Sequence, residues 1–389
     1  MTLNSFQFNT TAGLRFGNGF AVSSCEEISK KLGSRILFIT DKGLMSLGLT
    51  KPTIDELSKK NSIEIFDNVE ADPSKQTLLL AVEAGKKFKA TGVIGFGGGS
   101  SMDIAKLVAL ILGSNEDLEQ AWGVSNAKGP RLPLVLVPTT AGTGSEVTPV
   151  AIITVGEDEK KGVSSSIILP DLAILDPELT LALPAGTTAA TGIDAMVHAI
   201  EAYASKNKNN NLISRMIAIE ALRLLGASIE TAVLDGSNLE ARGNMLIGAM
   251  LAGKAFANSP VAAVHALAYP IGGTFHVSHG LSNSLVLPNV LKFNSVDVNA
   301  AKDYSELAQH VFPDLDTNKG TQAVCAEFIE KIENLSKRLG LPQKLREVNI
   351  PEEACVKMAS DAMKQTRLLV NNPREITEAD ALNIYKATW

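Results

Sequence analysis

The feature that most constrains the fold is a change of sequence pattern near residue 184. Before it, short apolar runs alternate with amphipathic stretches such as KPTIDELSKK and SKQTLLLAVEAGKKFKA. Four runs are typical of buried strands: RILFIT (35–40), IEIFDNV (63–69), GVIGFGG (92–98) and LPLVLVP (132–138). Alternation of strands and helices predicts a parallel sheet with helices on both faces.

After LALPAGTTAATG the strand signals largely stop. Segments such as NNLISRMIAIEALRLLGASIETAV repeat apolar residues at intervals of three and four, which predicts a helical bundle. We therefore expect an α/β domain over residues 1–184 and an all-helical domain over residues 185–389. The cleft between two such domains is the expected ligand site.

Composition narrows the function classes. The 389 residues carry a formal net charge of −6 and no basic stripe, which argues against a nucleic-acid partner. The sequence contains no run of 18 apolar residues, so a membrane-spanning helix is not expected. The segment MTLNSFQFNT lacks the features of a secretory signal. The three cysteines (Cys25, Cys325 and Cys355) are widely spaced and outside any metal-binding spacing. We expect a cytoplasmic protein with no membrane partner.

A candidate metal site lies in the second half. Asp194 and His198 in TGIDAMVHAIEAY are spaced i,i+4, so they share one face of a predicted helix. His265 and His279 bracket HALAYPIGGTFHVSH, and three of the five histidines thus fall in this set. One oxygen and three nitrogen ligands suit Fe²⁺ or Zn²⁺. The alternative is a surface pair on the helix with a hydrogen-bonded core histidine.

A glycine turn in the first half is a candidate anion site. VIGFGGGSSMDIAK has the pattern of strand, turn and helix, with Gly97, Gly98 and Gly99 in the turn and Ser100 at the start of the helix. Bare amides at a helix N-terminus suit a pyrophosphate. A glycine triplet alone is weak, because tight turns use it too.

A second polar turn and an acidic residue strengthen that interpretation. PTTAGTGSE follows the strand LPLVLV and offers hydroxyls for phosphate and ribose: Thr139, Thr140, Thr143 and Ser145. Asp41 ends the strand RILFIT, where a carboxylate can bind the ribose diol and disfavour a 2′-phosphate, so NAD is preferred to NADP. The alternatives are a polar turn that caps a helix, and an N-cap aspartate.

Together these segments resemble the iron-containing (group III) alcohol dehydrogenase family over almost the whole chain. GGGSSMDIAK, PTTAGTGSEVT, ATGIDAMVHAIEAY and the HA…HG block occur in the family's order and at similar intervals. The resemblance implies a Rossmann-like dinucleotide-binding α/β domain, a helical metal-binding domain, and homodimers or larger homo-oligomers. It also implies NAD and Fe²⁺ as cofactors, with Zn²⁺ as the other candidate.

The resemblance assigns roles position by position. Asp194, His198, His265 and His279 match metal ligands, and Asp41 matches the residue that disfavours NADP. The remaining matches are to cofactor-binding positions: Gly98, Gly99, Ser100, Asp103, Thr139, Thr140, Thr143, Ser145, Lys160 and Leu179.

One position departs from the family. Many members have a second histidine four residues after the third ligand, often assigned to proton transfer, and Tyr269 stands there in this chain. A phenol is a poor base near neutral pH. Tyr269 could donate a hydrogen bond to a substrate or pack against the cleft wall, and His276 is a second candidate for proton transfer or a surface imidazole.

The expected activity is interconversion of an alcohol with an aldehyde or ketone by a metal- and NAD-dependent dehydrogenase. A hydroxyacid–oxoacid transhydrogenase with retained NAD is the main alternative, suggested by Tyr269. A maleylacetate reductase would lack the intact ligand set, and a dehydroquinate synthase type of lyase would need a basic phosphate pocket that is not evident. A non-enzymatic metal- or nucleotide-binding scaffold is the remaining class.

Overall fold

The computed structural model describes residues 5–156 and 159–389. Contacts between Cα atoms divide the chain into two compact units. One is Asn9–Ala182, called here the sheet unit. The other is Leu183–Trp389 with residues 5–8, called here the helical unit. Each has its own fold.

The sheet unit is built from strands in two sheets. The strands are β1 (Leu14–Phe16), β2 (Arg35–Ile39), β3 (Ser62–Phe66), β4 (Gly92–Gly97), β5 (Gly123–Val124), β6 (Leu134–Pro138), β7 (Val150–Val155), β8 (Glu159–Ser164) and β9 (Leu172–Leu175). The predicted strands are confirmed as β2, β3, β4 and β6. The other five were not predicted; three of them (β1, β5 and β9) have at most four residues, too short for a clear hydrophobic period.

The larger sheet is parallel and has the order β1-β9-β6-β4-β2-β3. The chain first moves outward from β2 to β3 and then crosses back to β4 on the other side of β2. In a parallel sheet such a reversal of direction leaves a crevice at the carboxyl ends of the two flanking strands. The smaller sheet, β5-β8-β7, contains one antiparallel pair, β7 with β8.

Helices cover both faces of the larger sheet, as predicted. Those of the sheet unit are α1 (Phe20–Ser23), α2 (Cys25–Leu32), α3 (Lys42–Ser46), α4 (Lys51–Ser58), α5 (Lys75–Phe88), α6 (Gly99–Ser114) and α7 (Leu118–Ala121). Alternate residues of β2 enter two separate cores, because successive strand side chains point to opposite faces. Leu37 and Ile39 pack with α5 and α6, whereas Ile36 and Phe38 pack with α2.

The helical unit contains helices and no strand among its described residues. They are α8 (Ala185–Ala204), α9 (Leu212–Leu234), α10 (Leu239–Asn258), α11 (Ala263–Phe275), α12 (His279–Asn294), α13 (Val298–Val311), α14 (Thr321–Arg338), α15 (Ala354–Met363), α16 (Thr366–Leu369) and α17 (Glu378–Thr388). Helix α8 packs against α9, α10 and α12, so it is enclosed by its neighbours. Its apolar composition on all sides follows from this position.

Among the described residues, no single helix is long and apolar enough to cross a membrane. One pair, Leu239–Asn258 with Ala263–Phe275, passes on length and composition together but is bent by 108°.

Candidate functional site

Three helices of the helical unit bring together the four residues singled out as ligands. Asp194 and His198 lie one turn apart on α8, His265 is near the start of α11, and His279 opens α12. One ligand atom from each lies within 4.8 Å of the others. The Oδ1 atom of Asp194 is 3.6 Å from Nε2 of His279 and 4.0 Å from Nε2 of His265. Residues far apart in sequence therefore form one cluster.

The cluster has the burial and chemistry of a cation site. Asp194, His198 and His265 are each at least 96% buried, whereas the side chain of His279 is 38% exposed. Burial opposes the charged form of Asp194, but the three imidazoles and a hydrogen bond from Asn283 outweigh it and hold the pKa of this carboxyl below its usual value. A buried carboxylate among imidazoles needs a positive partner. The donor set therefore fits Fe²⁺ or Zn²⁺.

Helix packing accounts for the position of His279. A Cβ atom at the next residue, Gly280, would lie 2.4 Å from the carbonyl oxygen of Ala190 on α8. Only glycine allows this approach, so the start of α12 can lie directly against α8, which brings His279 close to Asp194 and His198 on that helix.

Three further side chains contact the cluster, and the sequence analysis missed them. Glu201 on α8 contacts Nδ1 of His265 at 2.7 Å, and Phe256 stacks on the ring of His198 with centroids 4.4 Å apart. The amide of Asn283 donates to Oδ1 of Asp194 at 2.6 Å. Helical spacing could have indicated two of them, because Glu201 follows His198 by one turn and Asn283 follows His279 by one turn.

The two candidates for proton transfer lie near the cluster in sequence but differ in setting. Tyr269 is half-buried, and its ring centroid is 6.1 Å from that of His279. His276 is exposed and ends α11 in the left-handed region with φ 55°. Among the described contacts, His276 ends the helix and touches none of the four clustered side chains.

In the sheet unit, the candidate cofactor segments meet at the carboxyl edge of the sheet. Asp41 follows β2, the glycine turn ends β4, Thr139 follows β6 and Leu179 lies just after β9. These strands are adjacent and parallel, so their carboxyl ends share one edge. The reversal of strand order falls between β2 and β4, next to Asp41 and Gly97.

The two loops touch each other. The amide of Thr139 donates to the carbonyl of Gly97 at 3.0 Å. A Cβ atom at Gly99 would lie 2.9 Å from Cγ2 of Thr143, and one at Gly98 would lie 3.7 Å from the side chain of Thr140. Helix α6 begins here with no side-chain cap, and Ser100 is in its first turn. Its first amides can therefore serve an anion.

A buried lysine forms hydrogen bonds with the second of these loops and with the start of β7. Lys106 is fully buried and donates to Ser145 Oγ (2.7 Å), Thr148 Oγ1 (3.2 Å) and the carbonyl of Val150 (2.7 Å). Ser145 in turn donates to Asp103 at 2.6 Å, and Asp103 also accepts from a backbone amide of β7. Burial lowers the pKa of Lys106 to about 8 and raises that of Asp103. The polar side-chain atoms of Asp103 and Ser145 thus have hydrogen-bond partners within the protein.

Two other candidate cofactor contacts have protein partners. The carboxylate of Asp41 caps α3 through a hydrogen bond from Leu44 N to Oδ1 at 3.0 Å, so the N-cap alternative is observed. That bond uses Oδ1, and the capping role is compatible with a ribose contact at the other oxygen. Lys160 on β8 pairs with Asp72 at 2.7 Å and donates to Thr154 at 2.9 Å.

Comparison with known proteins identifies the family. The family model described as "Iron-containing alcohol dehydrogenase" matches residues 12–177, and "Fe-containing alcohol dehydrogenase family, C-terminal" matches residues 188–389. Long-chain-alcohol dehydrogenase 1 of Geobacillus thermodenitrificans is 39% identical, over 92% of this chain and 91% of its own length. NAD-dependent methanol dehydrogenase of Bacillus methanolicus is 33% identical, over 92% and 93%.

A solved structure agrees with these relatives. The crystal structure of a 1,3-propanediol oxidoreductase superposes with a TM-score of 0.94 at 32% identity, covering 99% of this chain and 100% of that one. The names of these relatives give no support to the transhydrogenase alternative. The chain belongs to the iron-containing alcohol dehydrogenase family, and it is an oxidoreductase that acts on CH–OH groups.

Proposed function

We propose that this enzyme is a metal- and NAD-dependent dehydrogenase that interconverts an alcohol with its aldehyde or ketone. The observation that carries the proposal is the buried cluster of one carboxylate and three imidazoles. Residues 185–389 would hold the metal and the substrate, and residues 1–184 would hold the dinucleotide. A relative named as an NAD-dependent methanol dehydrogenase supports this choice of cofactor.

The four clustered side chains would hold Fe²⁺, with Zn²⁺ as the other candidate. An ion there supplies a Lewis acid that lowers the pKa of an alcohol hydroxyl. Asp194 contributes negative charge, and the buried imidazoles exclude water from one side. The more exposed His279 marks the side from which a substrate can approach.

The carboxyl edge of the sheet would hold the dinucleotide. The amides at the start of α6 would bind the pyrophosphate, and Gly98 and Gly99 permit its close approach. Asp41 would bind the adenosine ribose through its second oxygen, and a 2′-phosphate there would meet a like charge, which favours NAD. The nicotinamide supplies the hydride acceptor.

The individual roles in the second loop divide into two kinds. Thr139, Thr140 and Thr143 remain proposed cofactor contacts. Asp103 and Ser145 are better explained as supports for the loops, because their polar atoms bond each other and Lys106. Family resemblance alone supports Lys160 and Leu179 as cofactor contacts, and the observed position of neither residue contradicts that role.

Two side chains are the candidates for proton transfer. Tyr269 lies near His279 and could orient a substrate oxygen as a hydrogen-bond donor. His276 is exposed and could pass a proton to water. Comparing pH–rate profiles of Tyr269→Phe and His276→Gln with that of the wild type will show which group carries a kinetic pKa.

The test is an NAD⁺ reduction assay on metal-stripped protein, repeated after adding Fe²⁺ or Zn²⁺. The substrates should include short primary alcohols, diols, longer alcohols and hydroxyacids. NADH formation restored by metal is the expected result. Bound NAD with no turnover on any alcohol would contradict the proposal.

Two properties accompany the proposal. Family membership favours a homodimer or larger homo-oligomer, which light scattering will test. The three cysteines are buried free thiols, which suits a reducing cytoplasmic location.

A further inference from the structure

Glu201 occupies a position that its family resemblance did not assign. It lies on α8, one turn after His198 and two turns after Asp194, so all three share a helix face. Its side chain is 5% exposed, and its two oxygens are used separately. Oε1 accepts from the amide of Val264 at 2.7 Å, and Oε2 contacts Nδ1 of His265 at 2.7 Å.

These two contacts determine which nitrogen of His265 carries the proton. An ionised carboxylate can only accept hydrogen bonds, so Nδ1 must be the donor. In a neutral imidazole the other nitrogen then has a free lone pair. That nitrogen, Nε2, is the atom that faces Asp194 Oδ1 across the cluster.

We propose that Glu201 is a positioning residue that fixes the tautomer and ring orientation of His265 for metal binding. The inference rests on the proposed metal site. A carboxylate behind a ligating histidine orients the ring and increases its basicity, and loss of such a partner weakens metal binding about 10- to 100-fold. The bond to Val264 anchors Glu201 to the first turn of α11, the helix that carries His265.

Glu201→Gln tests the tautomer directly. A glutamine has one accepting oxygen and one donating amide, yet the site presents two donors. Either Val264 N loses its acceptor, or the proton of His265 must move to Nε2, which then cannot bind a metal. The matched control is Glu220→Gln, because Glu220 is on α9 and pairs with Arg223 on the surface.

The measurement is metal affinity, by competition between each protein and a chromogenic chelator for Zn²⁺ and Co²⁺. We expect Glu201→Gln to bind about 10- to 100-fold more weakly than the wild type, and Glu220→Gln to bind equally well. Urea denaturation of the metal-free proteins separates this effect from a general loss of stability. A folded Glu201→Gln protein with wild-type affinity would overturn the inference.

A second measurement needs no variant. Nitrogen-15 NMR of the Zn²⁺-loaded wild type should show His265 protonated at Nδ1 with Nε2 bound to the metal, and metal on Nδ1 with the proton on Nε2 would refute the role of Glu201. Failure of the proposed function would give a different result, because the wild type itself would then bind neither metal.

Discussion

The two proposed sites, one in each unit, use different chemical groups. In the helical unit, four side chains from three helices converge, and their distances depend on how the helices pack. In the sheet unit, the loops that follow β4 and β6 offer mainly backbone amides and small side chains. Removing a side chain should therefore damage the first site, whereas adding one should damage the second.

The same contrast extends to the buried groups behind each site. Glu201 and Asn283 contact the candidate metal ligands themselves. Lys106 and Asp103 contact loop and strand atoms, so they hold backbone in place. The first two residues therefore act on side chains of the proposed metal site, whereas Lys106 and Asp103 stabilise the backbone amides of the proposed cofactor site.

The largest effect is expected from His265→Ala. Removing a ligand should abolish the metal-dependent rate, a loss on the order of 10³-fold, because a Lewis acid contributes several kcal/mol. Steady-state kinetics at saturating metal, with NAD⁺ affinity measured by fluorescence titration, will test this. NAD⁺ binding should be retained, since the proposed cofactor site lies in the sheet unit.

The control for that prediction is His310→Ala, because His310 is on α13 and outside the cluster. Its rate should match the wild type. Retention of metal-dependent activity in His265→Ala would break the assignment of the site to the helical unit.

Lys106→Met should have the next largest effect, this time on stability. It leaves Asp103, whose side chain is 17% exposed, without the ammonium group 3.7 Å away. Breaking a fully buried pair costs about 3–5 kcal/mol, so we expect the lower end of that range. The free energy of unfolding, measured with urea, should fall by this order while metal affinity stays unchanged. The double variant with Asp103→Asn should recover part of the loss, and equal stability of all forms would show that the pair does not support the loops.

Gly99→Ala tests the backbone character of the cofactor site. The added Cβ would lie 2.9 Å from Thr143 Cγ2, and overpacking costs about 1–3 kcal/mol, or about tenfold or more in NAD⁺ affinity. Adding Thr143→Ser removes the clashing methyl. If NAD⁺ binding recovers, the clash was responsible; if it stays weak, the Cβ itself blocks the ligand.

The smallest effect is expected from Gly280→Ala, which adds a methyl group and keeps all four ligands. The Cβ would lie 2.4 Å from the carbonyl oxygen of Ala190, so the start of α12 must shift and His279 with it. Metal affinity should fall by about tenfold, since such overpacking costs about 1–3 kcal/mol. Gly186→Ala on α8 is the control, because among the described residues a Cβ there meets nothing within 4 Å beyond its chain neighbours and the backbone of its own helix.

Sequence patterns predicted the regular elements and the ligand cluster for a physical reason. Buried strands such as β4 are apolar without interruption, and the i,i+4 spacing of Asp194 and His198 is independent of tertiary structure. The sequence groups His265 and His279 with that pair by ligand type alone, because no local rule fixes how α11 and α12 pack, and the family resemblance then matches all four to metal ligands.

The partners of these residues could not be predicted from local pattern. Lys106 stands in the apolar stretch DIAKLVALIL, where a lysine reads as an exposed charge, and only the fold brings Ser145 and Val150 to it. Nothing in the sequence marks Phe256 as a neighbour of the cluster, because an aromatic residue on a buried helix usually belongs to the hydrophobic core. The family resemblance alone places Asp103 among the cofactor-binding positions, and its hydrogen bonds with Ser145 and β7 follow only from the fold.

The uneven burial of the cluster has a kinetic consequence. Asp194, His198 and His265 lie on or behind packed helices, whereas His279 is the ligand that solvent reaches. Among the described residues, this difference predicts that a bound ion would exchange past the first turn of α12 more readily than past the three buried side chains. Chelators should therefore strip the metal at a rate that depends on the opening of that turn.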